Sequence, residues 1–222
     1  MKKILMLMPF ILFWGCNQGD KQNSDSANAQ KADSGKTVTT PSLASIIAAN
    51  MNKTPIIDTA FLGFTFNMSK KQAEGYFSQL IKSGRVVKDE SGEHYVYPLA
   101  FDVIKTNALL APDYQDDKLY SITLIISPVD DIATDKTVFY QVALAYMKKY
   151  NNSNGFTSYQ DADPLESDLK EYHWVKNNLH IYLRNGINGT LVSYSNTPVE
   201  QQVEKNKKTQ ADSSKTQTSK DI

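Results

Sequence analysis

The stretch 171–195, "EYHWVKNNLHIYLRNGINGTLVSYS", limits the folds open to this chain more than any other. Asn177-Asn178 reads as a two-residue turn between two alternating runs, because Asn tolerates the backbone such turns need. That turn pairs Lys176 with Leu179, Trp174 with Ile181 and Tyr172 with Leu183. Gly186-Ile187-Asn188-Gly189 reads as a four-residue turn that pairs Asn185 with Thr190, Leu183 with Val192 and Ile181 with Tyr194. One face then collects Trp174, Leu179, Ile181, Leu183, Val192 and Tyr194. The other collects His173, His180, Tyr182, Arg184 and Ser193. A slip of one residue would invert this sorting, so its consistency over three strands predicts the register and one buried face.

Two helices stand out upstream. In "NMSKKQAEGYFSQLIKSGR", Ser69 and Gln72 have the spacing of a capping box. Ala73, Tyr76, Phe77, Leu80 and Ile81 recur at helical spacing, and Gly84 sits where a C-terminal glycine belongs. In "TDKTVFYQVALAYMKKYNNSNG", Val138, Phe139, Val142, Ala143, Tyr146 and Tyr150 form the apolar side. Lys148 and Lys149 suit the negative end of the helix dipole. Strands are predicted at "HYVYPLAF", with Pro98 marking an edge or bulge, and at "KLYSITLIIS", with Tyr120, Ile122, Leu124 and Ile126 inward. The intervening "DVIKTNALLAPDYQDD" reads as a connector with a short strand at 102–105, and Phe61–Phe66 as a strand or extended lead-in. A short helix capped by Thr40, with Pro41 at its first position, is expected to end near Asn50. The predicted class is α+β: an antiparallel β-sheet with two main helices packed on one face. The order helix, strands, helix, strands also fits a loose tandem α-β repeat.

The first residues, "MKKILMLMPFILFWGC", place Lys2 and Lys3 before an apolar run to Trp14 and then the only cysteine of 222 residues. The run has the length of a signal-peptide core and is short of the roughly 20 residues that span a bilayer. Cys16 is followed by a polar segment that cannot bury enough surface to order itself. This arrangement resembles the lipobox of bacterial lipoproteins, with Phe13 where leucine is usual three places before the cysteine. The resemblance implies a signal peptide over 1–15, lipid on Cys16 and an address in the cell envelope, most readily the outer membrane. Residues 16–54 are then a lipidated flexible tether with the short helix, 55–197 the α+β domain, and 198–222 a disordered polar tail.

Chemistry is sparse. The chain has 24 basic and 24 acidic residues, which gives no electrostatic case for nucleic acid. No Gly-x-Ser-x-Gly elbow and no phosphate-cradling glycine loop occurs. His173 and His180 fall diagonally on one sheet face, about 7–8 Å apart. Their neighbours Val175, Tyr182 and Arg184 complete no ligand set, so neither a metal nor another cofactor is expected. The acids of "DADPLESD" at 161–168 support an alternative, a carbohydrate-active envelope hydrolase, if two carboxylates converge. His173, His180, Tyr182 and Arg184 offer the aromatic and arginine chemistry of a protein-binding surface. "GFTFNMSKKQAEGYF", residues 63–77, resembles the helix opening of small envelope lipoproteins and of the β-lactamase-inhibitor-like fold. That resemblance implies helices on an antiparallel sheet and protein binding without catalysis. The expected function is therefore a lipid-anchored, non-catalytic binding module.

Overall fold

Alternating strands must bury their apolar faces against something. In the computed structural model they do so within one antiparallel sheet of eight strands. The structure describes residues 41–101, 104–128, 134–161, 171–186 and 189–218. In chain order the elements are α1 (Leu43–Asn50), α2 (Lys70–Lys82), β1 (Val87–Lys88), β2 (Tyr95–Phe101), β3 (Ile104–Gln115), β4 (Lys118–Pro128) and α3 (Asp135–Lys149). They continue through β5 (Thr157–Asp161), β6 (Glu171–Lys176), β7 (Leu179–Gly186), β8 (Gly189–Asn196) and α4 (Thr197–Thr218). The sheet order is β1-β2-β3-β4-β8-β7-β6-β5. A helix followed by a four-stranded meander thus occurs twice, and the two meanders meet at β4 and β8. The fold is α+β, and the tandem pattern is present at the level of elements.

α2 and α3 supply the cover for one face. Ser69 accepts from the Gln72 N–H while the Gln72 side chain accepts from the Ser69 N–H, which completes the capping box. Gly84 follows at φ +70, the left-handed conformation that ends the helix. Phe77 on α2 stacks on Tyr95 of β2 with ring centroids 3.7 Å apart. Val138, Val142 and Tyr146 of α3 join Ile122, Leu124, Ile181, Leu183 and Val192 in the same core. Three tyrosine hydroxyls meet inside it: Tyr194 lies 2.7 Å from Tyr146 and 3.1 Å from Tyr150. Burial raises the Tyr146 and Tyr194 pKa values far above the usual phenol range, so these groups stay neutral.

The meander pairs as expected at every position named from its sequence, from Lys176↔Leu179 to Asn185↔Thr190. Gly186 and Gly189 also pair, so the second turn is two residues long, and those two residues lie outside the described set. Other expectations are corrected. The supposed connector is β3, a twelve-residue strand. Its buried Thr106, Ala108 and Leu110 alternate, but its Lys, Asn, Ala and Pro content is poor for a strand. Pro112 is tolerated because pairing to β2 stops at Leu110. In β4, a register shift opposite Asp113 and Tyr114 puts Leu119 in the core instead of Tyr120. The segment from Phe61 is a 3-10 turn closed by a Thr59↔Thr65 bridge, not a strand.

The folded unit extends further at both ends than its composition suggests. α1 begins two residues later than expected, with Ser42 as cap, and buries Ile46 and Ile47 against Val175. It belongs to the folded unit, not to a tether. The C-terminal segment, expected to be a disordered tail, is helical through Thr218. Val203 of α4 is buried, and α4 lies against β4 and β8 on the face opposite α2 and α3. Polar composition misleads here because one apolar contact and a few polar ones suffice when a sheet face is available. The Asn177-Asn178 turn is also more than a turn. The Asn178 side chain accepts from the Ile57 N–H and donates to the Ile57 carbonyl, and Asn177 Nδ2 donates to Pro55 O.

Two outcomes follow from this packing. At Gly189 the backbone is at φ +112, and a Cβ would stand 2.4 Å from the Ile126 carbonyl oxygen. Gly189→Ala should cost at least about 2 kcal/mol in urea unfolding, against a small effect for Gly75→Ala, which meets nothing within 4 Å. A chain ending at Asn196 should stay folded but lose about 1–3 kcal/mol, because it uncovers His180 and Val203's contact surface. Equal stability of the truncated and full chains would show that α4 does not hold the sheet face.

Candidate functional site

The strand register brings His173, His180, Tyr182 and Arg184 to one sheet face, where the two imidazoles are covered, Tyr182 is half-buried and Arg184 is exposed. His173 and His180 are diagonal neighbours, His173 opposite Tyr182 and His180 opposite Val175. His173 Nδ1 lies 3.1 Å from His180 Nε2, and His180 Nδ1 lies 3.0 Å from Glu200 Oε2 in the first turns of α4. With Glu200 ionised, His180 donates from Nδ1 and accepts at Nε2 from the Nδ1–H of His173. The Tyr182 hydroxyl donates to Glu171 Oε1 at 2.8 Å, and Tyr182 stacks on His173. Both imidazoles are buried, at 4% and 6% exposure. They are not the exposed strand histidines that the sequence suggested, because α4 lies over them. Arg184 remains exposed, with its guanidinium 5.7 Å from the Tyr182 ring centre.

Beside this network a cleft of about 230 Å³ separates α4 from the sheet. Asp113, Ser193 and Arg184 face it from the strands, Glu204 and Lys207 from the helix. Burial raises the Asp113 pKa, and the Lys207 ammonium works against that rise. Ser193 Oγ lies 3.0 Å from Ser121 Oγ and 3.2 Å from Thr123 Oγ1. The hydroxyls of the cleft bond one another across β4 and β8, and the Glu200–His180 bond ties α4 to the sheet. Among the described residues no group of three or more His, Cys, Asp or Glu side chains is placed to hold a metal ion.

The open concave surface is elsewhere, on the α3 side of the sheet. A groove of about 470 Å³ runs between the end of α3 and strands β5 and β6. Exposed Met147 and the edges of buried Tyr150, Tyr172 and Trp174 form its apolar part; Ser158, Gln160 and Asn151–Ser153 form a neutral polar rim. Met147 continues an exposed stripe with Tyr140 and Leu144, spaced i, i+4, i+7 on α3. Sequence reasoning took only the buried side of this helix. The outward spacing of Tyr140, Leu144 and Met147 was the available signal. Strand β5 also escaped notice, since "TSYQD" is short and polar. Cys16 and the acids at 162–168 lie outside the described residues, as does the Asp161 side chain.

Fold and site together define a class: two helix-plus-meander units sharing one sheet, with one face closed by a C-terminal helix and an aromatic groove at one edge. No family model matches the chain, and neither a curated protein nor a solved structure matches it.

The buried histidine pair makes stability depend on pH. Burial, and then the neighbouring His180, lower the His173 pKa from 6.5 to about 4, while Glu200 pulls weakly the other way. Between these values the unfolded chain binds the extra proton and the folded chain does not. The contribution is therefore complete above pH 6.5 and is lost as pH falls towards 4. After discounting for residual solvent screening it is about 2 kcal/mol. Urea unfolding between pH 7 and pH 4 should show this loss, and His173→Phe should flatten it. An unchanged slope in His173→Phe would remove His173 as its source.

Proposed function

We propose that this chain is a lipid-anchored, non-catalytic binding module of the bacterial cell envelope, held at the outer membrane through Cys16 and engaging a protein partner through the groove beside α3. The groove carries the reading. It is the place where aromatic and thioether side chains line an open concavity, which is the usual make-up of a recognition surface. The adjoining stripe of Tyr140, Leu144 and Met147 widens the apolar area. The lipobox-like order of Lys2, Lys3, the apolar run and Cys16 supports the anchor. The groove is preferred to the face of His173, His180, Tyr182 and Arg184 because both imidazoles there are buried, although Arg184 stays exposed and Tyr182 half-buried.

Cell fractionation tests the anchor: wild type should sediment with membranes, Cys16→Ser should not, and mass spectrometry should find acyl groups on Cys16. Sedimentation of both alike would refute it. A photo-cross-linker at Met147 tests the surface in intact cells. It should trap a partner protein that one at exposed Lys82 on α2 does not. Cross-links at Lys82 but not at Met147 would place the binding surface on another part of the molecule.

A further inference from the structure

The two edges of the sheet are built differently. At one edge, β1 is two residues long, and β2 beyond it carries Pro98. Short strands and proline are the usual means of preventing an edge from pairing with another chain. At the other edge, β5 carries neither proline nor lysine, and Thr157, Ser158 and Gln160 are exposed. Among the described residues nothing pairs with its outer side.

The register shows which backbone groups are available there. The two-residue turn makes Lys176↔Leu179 a hydrogen-bonded pair, and such pairs alternate along an antiparallel ladder. Trp174 and Tyr172 therefore also bond to β7, while Val175, His173 and Glu171 bond to β5. Their partners are Thr157, Tyr159 and Asp161. Ser158 and Gln160 are left with N–H and C=O groups pointing away from the sheet. These two residues are also the ones whose side chains fall on the groove face, opposite Trp174 and Tyr172.

Charge sets the orientation. Among the described residues no carboxylate lines the groove. Lys149 Nζ lies 4.9 Å from the centre of the Tyr150 ring. Lys176 Nζ donates to Asn154 O at 2.8 Å and lies 5.3 Å from the Phe156 ring centre. Both cations stand at the Thr157 end of β5. A strand added antiparallel to β5 would bring its C-terminal end there.

We propose that β5 is a strand-addition site: an extended segment of a partner protein bonds to the outward backbone groups of Ser158 and Gln160, sets alternate apolar side chains over Met147 and Tyr172, and presents a carboxylate at its C-terminal end to Lys149 and Lys176. The proposal names the partner class for the groove and rests on the reading of the groove as the binding surface. Same-face residues of the added strand recur every ~6.8 Å, so two of them stand opposite Ser158 and Gln160.

The test uses the full chain with Cys16→Ser and a library of random decapeptides with free carboxyl termini. Peptides with alternating apolar residues and an acidic C-terminal end should be enriched. Gln160→Pro removes an outward N–H without touching the β5–β6 ladder, and should weaken the best peptide at least about tenfold by fluorescence anisotropy. Gln160→Ala keeps the donor and should change affinity less than about threefold. A folded Gln160→Pro protein that binds as wild type does would overturn strand addition. So would failure to enrich any peptide, together with uptake of the protein by phosphatidylglycerol vesicles that Leu144→Glu abolishes; that result would make the stripe a membrane contact. Cross-links at Met147 in cells that survive Gln160→Pro would defeat this proposal alone. Their absence from the wild type would defeat the groove reading beneath it.

Discussion

Strands β4 and β8 join the two halves of the molecule through a ladder running from Ser121↔Ser195 to Ile126↔Thr190. Everything else is placed by that seam. Alternation along it sends Ile122, Leu124, Val192 and Tyr194 to one face and Ser121, Thr123, Ser193 and Ser195 to the other. The apolar face is wide enough for two helices only because both meanders contribute to it, and α3 lies across strands of both. Neither four-stranded half has enough apolar surface on both sides to stand as a sandwich, so a one-sided core shared by two halves is the economical solution. Gly189 marks how closely the halves approach at the end of the seam, where backbone meets backbone without space for a methyl group.

The hydroxyl-rich back of the seam explains α4. A helix with little apolar surface is marginal alone. Here it starts directly after β8, so its entry is already positioned. Glu200 reaches His180 and Val203 closes over the strands. The interaction also reverses the usual expectation for buried imidazoles. They are covered by the chain's own helix and linked to each other, with the Glu200 carboxylate 3.0 Å from His180 at one end and that of Glu171 3.8 Å from His173 at the other. The face that carries the aromatic and arginine chemistry of a recognition surface is thereby used internally.

The groove arises from a mismatch in length between helix and sheet. α3 ends at Lys149, and the chain turns through Asn151 and Gly155 before β5 begins. Asn151 Oδ1 accepts from the Asn154 N–H, and Gly155 adopts φ +77. This tight reversal places β5 at the rim of the sheet without a helix above it. Exposed Met147 and the edges of the otherwise buried Tyr150 and Tyr172 then line a concavity. An edge strand without proline completes it. Backbone groups and apolar pockets lie side by side on one rim, whereas at the opposite rim Pro98 and the short β1 leave no comparable strand.

Local patterns determined much of this protein. The capping box at Ser69, the helix from Asp135, the Asn177-Asn178 turn and the register of three strands were legible because each depends on neighbours within a few residues. The α+β class followed from their order. The long-range decisions were not legible. Whether β3 is a strand depended on neighbours on both sides, which its own propensities do not encode. Leu119 replaced Tyr120 in the core because a bulge formed opposite Asp113, a property of two strands together. The histidines were correctly placed on one face, yet that face was assigned to solvent, since nothing near His180 in sequence announces Glu200 folding back over it. The outward groups of Ser158 and Gln160 exist only because β5 is last in the sheet. Sequence settles which way side chains alternate along a strand. Only tertiary structure decides which faces and edges are covered, because covering them requires surface from distant parts of the chain.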